Sequence, residues 1–138
     1  MEADPYQLIE GMTISGLAVG ATKGFIYLRS EYPRAQKMLE RAIDVAMAEG
    51  YLGADLCGSE QRFELEVRMG AGSYICGEET ALLNSLEGKR GVVRAKPPLP
   101  ALEGLFGKPT AVNNVLTLAS VSSILADGGA EYARHGLD

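Results

Sequence analysis

The chain has 138 residues, of which 46% are hydrophobic and 22% are charged, and its formal net charge is −5. This length favours one domain, and this balance excludes an intrinsically disordered chain. The negative charge argues against a nucleic-acid-binding protein, and the apolar runs are too short to cross a bilayer. We therefore expect a globular protein with no nucleic-acid partner and no direct membrane insertion.

The first half of the chain predicts two helices alternating with two strands. Asp4 is placed to cap the first helix and Pro5 to begin it, and we expect the glycines of this helix to pack closely against a sheet. A buried strand is expected next, then an amphipathic helix that Gly50 ends, then a half-exposed strand. The predicted bounds are 4–21, 23–29, 34–49 and 63–68.

A glycine-rich turn over residues 69–80 follows the second strand and leads into a predicted helix over 78–86. Three glycines lie within eight residues of this turn, and Glu78 and Glu79 stand where the helix begins. Glycine permits positive φ and close approach of a ligand, and a helix N-terminus attracts electron-rich groups. The turn therefore suits a phosphate, a ring carbonyl or a similar group.

The rest of the chain predicts a long irregular segment and a final helix. Prolines and glycines exclude regular structure over 91–110, and the basic stretch 89–96 suits a small anionic ligand or a partner surface. We expect the last helix over 113–126, with Asn113 as its cap, and a short helical turn over 130–134.

Structural explanations exist for several of these residues. Glycines are common where a strand meets a helix, Tyr74 could be a half-buried core residue, and Cys76 could be a small buried hydrophobe. Cys57 and Cys76 indicate neither a disulfide framework nor a metal site, and His135 suits the surface. The chain lacks the Gly-Lys-Ser/Thr of a phosphate-binding loop, which argues against an ATPase.

The combination of motifs is more specific than its parts. Residues 70–91 closely resemble the signature of the flavoprotein family that admits NADH electrons to respiratory complex I. Residues 104–110 and 112–119 are similar to the next two blocks of that family, and 4–11 and 27–33 also fit its pattern. The same module occurs in NAD-linked formate dehydrogenases and NAD(P)-reducing hydrogenases.

The resemblance implies an α/β fold, a Rossmann-like three-layer fragment with a small, mostly parallel sheet flanked by helices. It implies FMN as cofactor and NAD(H) as substrate, with Glu78 and Glu79 as catalytic candidates that tune hydride exchange. No metal ligands are expected in this chain. By matching position, the residues expected at the flavin and nicotinamide are Tyr74, Gly77, Glu78, Glu79, Val112, Asn113, Asn114 and Thr117.

The chain also departs from the family pattern. The family's first glycine-rich loop, its ubiquitin-like domain and its helical bundle with a [4Fe–4S] cluster are absent from this sequence. Residues 1–138 are therefore expected to be a partial FMN/NADH-binding domain that alone binds FMN weakly and is inactive. Leu99 stands where the family commonly has a phenylalanine that stacks on the NADH adenine, so nucleotide affinity is expected to differ.

Three functions remain open at this point. The first is the NADH-oxidising subunit of NADH:quinone oxidoreductase, in which a hydride passes from NADH to FMN and electrons continue to iron–sulfur clusters. The resemblance implies other peripheral-arm subunits as its partners, especially a [2Fe–2S] thioredoxin-like subunit. It also implies a peripheral position on the cytoplasmic face of a bacterial membrane, or on the matrix side in mitochondria.

The second possible function is a diaphorase subunit of a formate dehydrogenase or hydrogenase, and the third is a non-catalytic assembly fragment.

Overall fold

A computed structural model describes residues 1–136. The described elements are α1 (Pro5–Ala18), β1 (Lys23–Arg29), α2 (Pro33–Ala48), β2 (Glu64–Gly70), α3 (Glu79–Leu86), α4 (Val115–Ala119), α5 (Val121–Asp127) and α6 (Gly129–Tyr132). They belong to two compact units. The first unit contains residues 1–26, 34–66 and those from 114 onward, and the second contains 27–33 and 67–113.

The sheet consists of β1 and β2, which are hydrogen-bonded neighbours and run parallel. Helix α2 connects them along the chain, as a parallel pair requires. The predicted α/β class, with a parallel sheet flanked by helices, is confirmed. The expectation that β1 is a buried strand holds on one face only, because burial alternates: Ile26 and Leu28 are buried, whereas Phe25 and Tyr27 are partly exposed.

Helix α1 begins as predicted, because Asp4 accepts a hydrogen bond from the Gln7 amide at 3.1 Å. Its glycines permit two different close contacts in the first unit. A Cβ on Gly16 would lie 2.4 Å from the ring of Phe63, the residue before β2. A Cβ on Gly11 would lie 1.9 Å from the Leu118 carbonyl oxygen, so this glycine packs against α4, and the expectation that it packs on the sheet was wrong.

Helix α2 carries the main apolar face of the first unit. Its buried side chains are Ala35, Leu39, Ala42, Ile43 and Ala46. The apolar side chains of Met38 and Met47 on the same helix are 36% and 49% exposed. Gly50 follows the helix with a φ of 78°, the conformation that favours glycine at a helix C-terminus.

The final helix differs from its prediction in two ways. Its cap is Asn114, whose Oδ1 accepts a hydrogen bond from the Leu116 amide at 2.8 Å, so the prediction of Asn113 was wrong by one residue. The helix is also divided into α4 and α5 at Ser120, whose hydroxyl donates to the Leu116 carbonyl at 2.8 Å. Such a bond to the preceding turn often bends a helix. The short helical turn expected over 130–134 is present as α6 and the 3₁₀ turn that follows it over Ala133–His135.

Asn114→Ala is expected to lower the free energy of unfolding by about 1 kcal/mol, because the Leu116 amide loses its acceptor at the start of α4. Urea denaturation measures this loss. Asn113→Ala is the matched control, because the Asn113 side chain makes no hydrogen bond among the described residues. Equal losses in the two variants would show that Asn114 is not the cap.

Candidate functional site

The glycine-rich turn belongs to the second unit and leads from the end of β2 to α3 through a 3₁₀ turn over Tyr74–Gly77. Its three glycines serve different purposes. Gly72 has a φ of 80°, and a Cβ on Gly70 would lie 2.4 Å from the Tyr27 hydroxyl oxygen. Gly77 faces open space, since a Cβ there would meet no described atom within 4 Å. Gly77 is thus the glycine that leaves backbone accessible to a ligand.

Glu78 caps helix α3. Its Oε2 accepts hydrogen bonds from the amides of Thr80 and Ala81, both at 2.9 Å, and from the Thr80 hydroxyl at 2.6 Å. These donors, the Thr80 hydroxyl foremost, lower the pKa of Glu78 to about 2. Because the Glu78 carboxylate already occupies the Thr80 and Ala81 amides, these two donors are not free for a phosphate.

Glu79, the other member of the acid pair (Glu78 and Glu79), forms an ion pair with Lys96. The Lys96 Nζ also lies 3.7 Å from Oε1 of Glu78. Glu79 raises the pKa of Lys96 by hydrogen bonding and by charge. The sequence prediction of site residues missed Lys96, although it lies in the basic stretch that had been interpreted as an anion or partner surface.

Much of that basic stretch is neutralised within the second unit. Glu87 pairs with Lys89 at 2.7 Å and with Arg94 at 2.9 Å, and Lys96 pairs with the acid pair. These cations serve the chain's own carboxylates. For these three cations the internal pairs argue against the expected anionic-ligand site, whereas the expected partner surface stays a prediction.

Arg94 fixes the long loop, defined here as residues 87–113. Its Nε donates to Asn84 Oδ1 at 2.7 Å, its Nη1 donates to the Gly104 carbonyl at 3.1 Å, and its amide donates to the Thr80 hydroxyl at 2.8 Å. Two clefts of about 260 and 220 Å³ lie beside it, both lined by Arg94 and Glu103. Arg94 therefore joins α3 to a segment with little regular structure of its own.

The other predicted site residues are distributed over both units. Tyr74 is 94% exposed, so its interpretation as a half-buried core residue was wrong. In the second unit, Val112 and Leu99 are 36% and 53% exposed, and Asn113 is exposed. In the first unit, Asn114 caps α4 and Thr117 is exposed on it. Within the described residues, no hydrogen bond or ion pair joins Val112 or Asn113 to the acid pair.

The cysteines are free thiols, and Cys76 is buried, as a small hydrophobe would be. Among residues 1–136, no group of three or more histidine, cysteine or carboxylate side chains is arranged to hold a metal ion. None of the helices in that range is both long and apolar enough to cross a bilayer.

The second unit fits the ring portion of a flavin better than its phosphate. Open backbone at Gly77, the exposed ring of Tyr74 and exposed apolar carbons of Val112 provide surfaces for a flat aromatic group. The exposed Asn113 amide provides both a donor and an acceptor, which flavin ring edges require. The α3 amides are occupied by Glu78, so the phosphate needs other donors.

These features define a cofactor-binding α/β domain built around a glycine turn and an acid pair. The model of the Nuo51 FMN-binding domain matches residues 1–123, and the chain belongs to the Nuo51 FMN-binding domain family.

Relatives of known name agree with this family. The chain is 53% identical over 132 residues to a subunit of the NADH-quinone oxidoreductase of Aquifex aeolicus, covering 96% of this chain and 31% of the relative. It is 50% identical over 128 residues to the HndC subunit of the NADP-reducing hydrogenase of Solidesulfovibrio fructosivorans, covering 93% and 26%. The chain thus spans about a third or less of these curated relatives.

A solved structure shares the fold. The crystal structure of an NAD⁺-reducing [NiFe]-hydrogenase in the H₂-reduced state superposes with a TM-score of 0.85 and 41% sequence identity. The match covers 96% of this chain and 22% of the hydrogenase chain.

Proposed function

We propose that this chain is part of the FMN-binding domain of the NADH-oxidising flavoprotein subunit of an NADH:quinone oxidoreductase. The observation that carries the proposal is the open backbone at Gly77 beside the acid pair, in a chain of the Nuo51 FMN-binding domain family. The 53% identity with the NADH-quinone oxidoreductase relative of Aquifex aeolicus supports the assignment to this enzyme. Residues 1–138 form a partial FMN/NADH domain of a longer protein in this proposal.

The proposed site assigns a role to each predicted residue. When FMN is bound, its ring supplies the redox chemistry, in which a hydride is accepted from NADH and electrons are released one at a time to iron–sulfur clusters. Gly77 lets the ring approach the backbone, and Tyr74 and Val112 give apolar contact. The polar side chains hydrogen-bond the cofactor, and Leu99 contacts the NADH adenine without aromatic stacking. These polar residues are Asn113, Asn114 and Thr117.

Glu78 and Glu79 place negative charge beside the flavin in this proposal. That charge disfavours further negative charge on a reduced ring and so tunes hydride exchange. Lys96 moderates the effect, because it pairs with Glu79. The acid pair therefore acts on the electronics of the cofactor rather than as an acid–base catalyst.

The proposal extends to partners and location. The electrons continue to a [4Fe–4S] cluster in another part of the same protein and to other subunits of the peripheral arm, especially a [2Fe–2S] thioredoxin-like subunit. The protein is peripheral, on the cytoplasmic face of a bacterial membrane or on the matrix side in mitochondria. The printed name of the Aquifex aeolicus relative, a subunit of an NADH-quinone oxidoreductase, supports the assignment to a multisubunit enzyme.

A diaphorase subunit of a soluble hydrogenase or formate dehydrogenase is the second candidate. The 50% identity with a hydrogenase subunit and the TM-score of 0.85 with an NAD⁺-reducing hydrogenase favour it. The half-reaction is the same, and only the electron acceptor differs. The neighbouring genes distinguish the two candidates. Genes for quinone-reductase subunits beside the reading frame favour the first candidate, and genes for a hydrogenase favour the second.

FMN titration followed by flavin fluorescence tests the proposal. The longer flavoprotein, expressed from the whole reading frame that contains this chain, is expected to bind FMN stoichiometrically, and the 138-residue chain much more weakly. Failure of the longer protein to bind FMN would leave the third function, a non-catalytic assembly module, as the better account.

Glu79→Gln in the longer flavoprotein is expected to raise the two-electron flavin potential by about 30 mV, equivalent to about 1.4 kcal/mol. The reason is that the substitution removes a negative charge and releases Lys96 from its ion pair. Redox titration of the flavin absorbance measures the potential. Glu103→Gln, an equal charge change outside the acid pair, is the control, and a potential unchanged in both variants contradicts the assigned role.

A further inference from the structure

Thr80 is a buried polar residue directly behind the acid pair. It is 2% exposed, in the first turn of α3. Its hydroxyl lies 2.8 Å from the Arg94 amide nitrogen and 2.6 Å from Oε2 of Glu78. One buried hydroxyl therefore contacts both the long loop and the acid pair.

The chemistry of the three groups fixes the direction of both hydrogen bonds. A backbone amide can only donate, so the Thr80 hydroxyl accepts from Arg94. The single hydroxyl proton is then free to be donated to the Glu78 carboxylate, which at neutral pH can only accept. The result is a directed chain from the loop amide through the hydroxyl to the carboxylate.

We propose that Thr80 is a positioning residue, which couples the long loop to Glu78 and holds that carboxylate charged and oriented beside the proposed flavin site. The inference rests on the proposed function for its consequence at the flavin. The coupling itself concerns only residues of the second unit.

The loop segment around Arg94 contacts both members of the acid pair. Its amide reaches Glu78 through Thr80, and two residues further on Lys96 pairs with Glu79. The Arg94 side chain anchors the segment to Asn84 and Gly104, so its amide is held in place. Burial of Thr80 keeps water from replacing its hydroxyl. The hydroxyl is also the largest cause of the low pKa of Glu78, while Lys96 adds a smaller effect in the same direction.

Carboxyl-carbon NMR titration of the longer flavoprotein, prepared without cofactor, tests the coupling. Thr80→Val keeps the shape and removes the hydroxyl, so the pKa of Glu78 is expected to rise by about one unit. Thr80→Ser restores the hydroxyl and is expected to return the pKa to the wild-type value. Hydrogen exchange of the Arg94 amide is expected to be about tenfold faster in Thr80→Val only.

Thr110→Val is the matched control. The Thr110 hydroxyl accepts from the Leu105 amide at 2.9 Å and donates to the Lys108 carbonyl at 2.9 Å, so it also links parts of the loop. It makes no hydrogen bond to the acid pair among the described residues. The variant is expected to leave the pKa of Glu78 unchanged. A pKa shift equal to that in Thr80→Val would show that Thr80 only stabilises the fold and does not position Glu78.

Two outcomes overturn the inference even if Thr80→Val does not fold. One is a pKa of Glu78 near its ordinary value of 4.5 in the wild-type chain, and the other is failure of Thr80→Ser to preserve the wild-type value.

In the longer flavoprotein, Thr80→Val is also expected to shift the flavin potential, and Thr80→Ser is not. An absence of FMN binding would defeat the proposed function and leave the titration to decide the coupling. An unchanged titration would defeat the coupling even where FMN binds.

Discussion

Gly11→Ala is expected to lower the free energy of unfolding by about 3 kcal/mol, at the upper end of what overpacking costs. The added Cβ would lie 1.9 Å from the Leu118 carbonyl oxygen and 2.8 Å from its carbon. Backbone atoms cannot rotate away as the end of a side chain can, so α1 and α4 must separate. Urea denaturation followed by circular dichroism measures the loss.

Gly129→Ala is the matched control for this prediction. Gly129 is the first residue of α6, and a Cβ there would meet no described atom within 4 Å. The substitution is expected to be neutral or stabilising by about 0.5 kcal/mol, because alanine restricts the unfolded chain. Similar losses in the two variants would mean that α1 and α4 are not in close contact at Gly11.

Glu87→Gln is expected to destabilise the protein by about 2 kcal/mol at neutral pH, the scale of hydrogen bonds to a charged group. The Glu87 side chain is 5% exposed and accepts hydrogen bonds from Lys89 at 2.7 Å and from the Phe106 amide at 2.8 Å. It also pairs with Arg94. The amide replacement keeps the shape and loses the charge that these groups require.

The pH dependence of this effect has a definite sign. Lys89 first, and then Arg94 and the Phe106 amide, lower the pKa of Glu87 from 4.5 to about 2 in the folded chain. The stabilisation is therefore complete above the ordinary carboxyl pKa of 4.5 and is lost as the pH falls toward 2. The difference in unfolding free energy between wild type and Glu87→Gln is expected to shrink over this window. Glu103→Gln, which removes an exposed carboxylate, is the control, and a constant difference for Glu87→Gln contradicts the account.

The order of elements in the first half was predictable from local rules. Asp4 and Pro5 begin α1, the apolar period of α2 is regular, and Gly50 ends it. These signals depend on neighbours along the chain, so a sequence contains them. The partner of Gly11 is the carbonyl oxygen of Leu118, far along the chain, and no local pattern indicates which element a glycine faces.

The site was predictable only in part for the same reason. The turn and the acid pair stand together in the sequence, and their position between β2 and α3 follows from it. The roles of Thr80, Arg94 and Lys96 depend on the path of the long loop, which lacks a regular period. The internal ion pairs of the basic residues were not predictable from local patterns, because their acidic partners, Glu79 and Glu87, stand on or beside α3.

The exposure of Tyr74 has an optical consequence. The sequence contains no tryptophan and six tyrosines, so tyrosine alone provides the ultraviolet emission of the chain. A phenol ring that is 94% exposed is open to a dissolved quencher such as iodide. Because Tyr6, Tyr32, Tyr51 and Tyr132 are also 40–61% exposed, the contribution of Tyr74 is obtained by difference from Tyr74→Phe. Any molecule that stacks on the Tyr74 ring will shield it from collisions, so this contribution reports occupancy of the turn without a label.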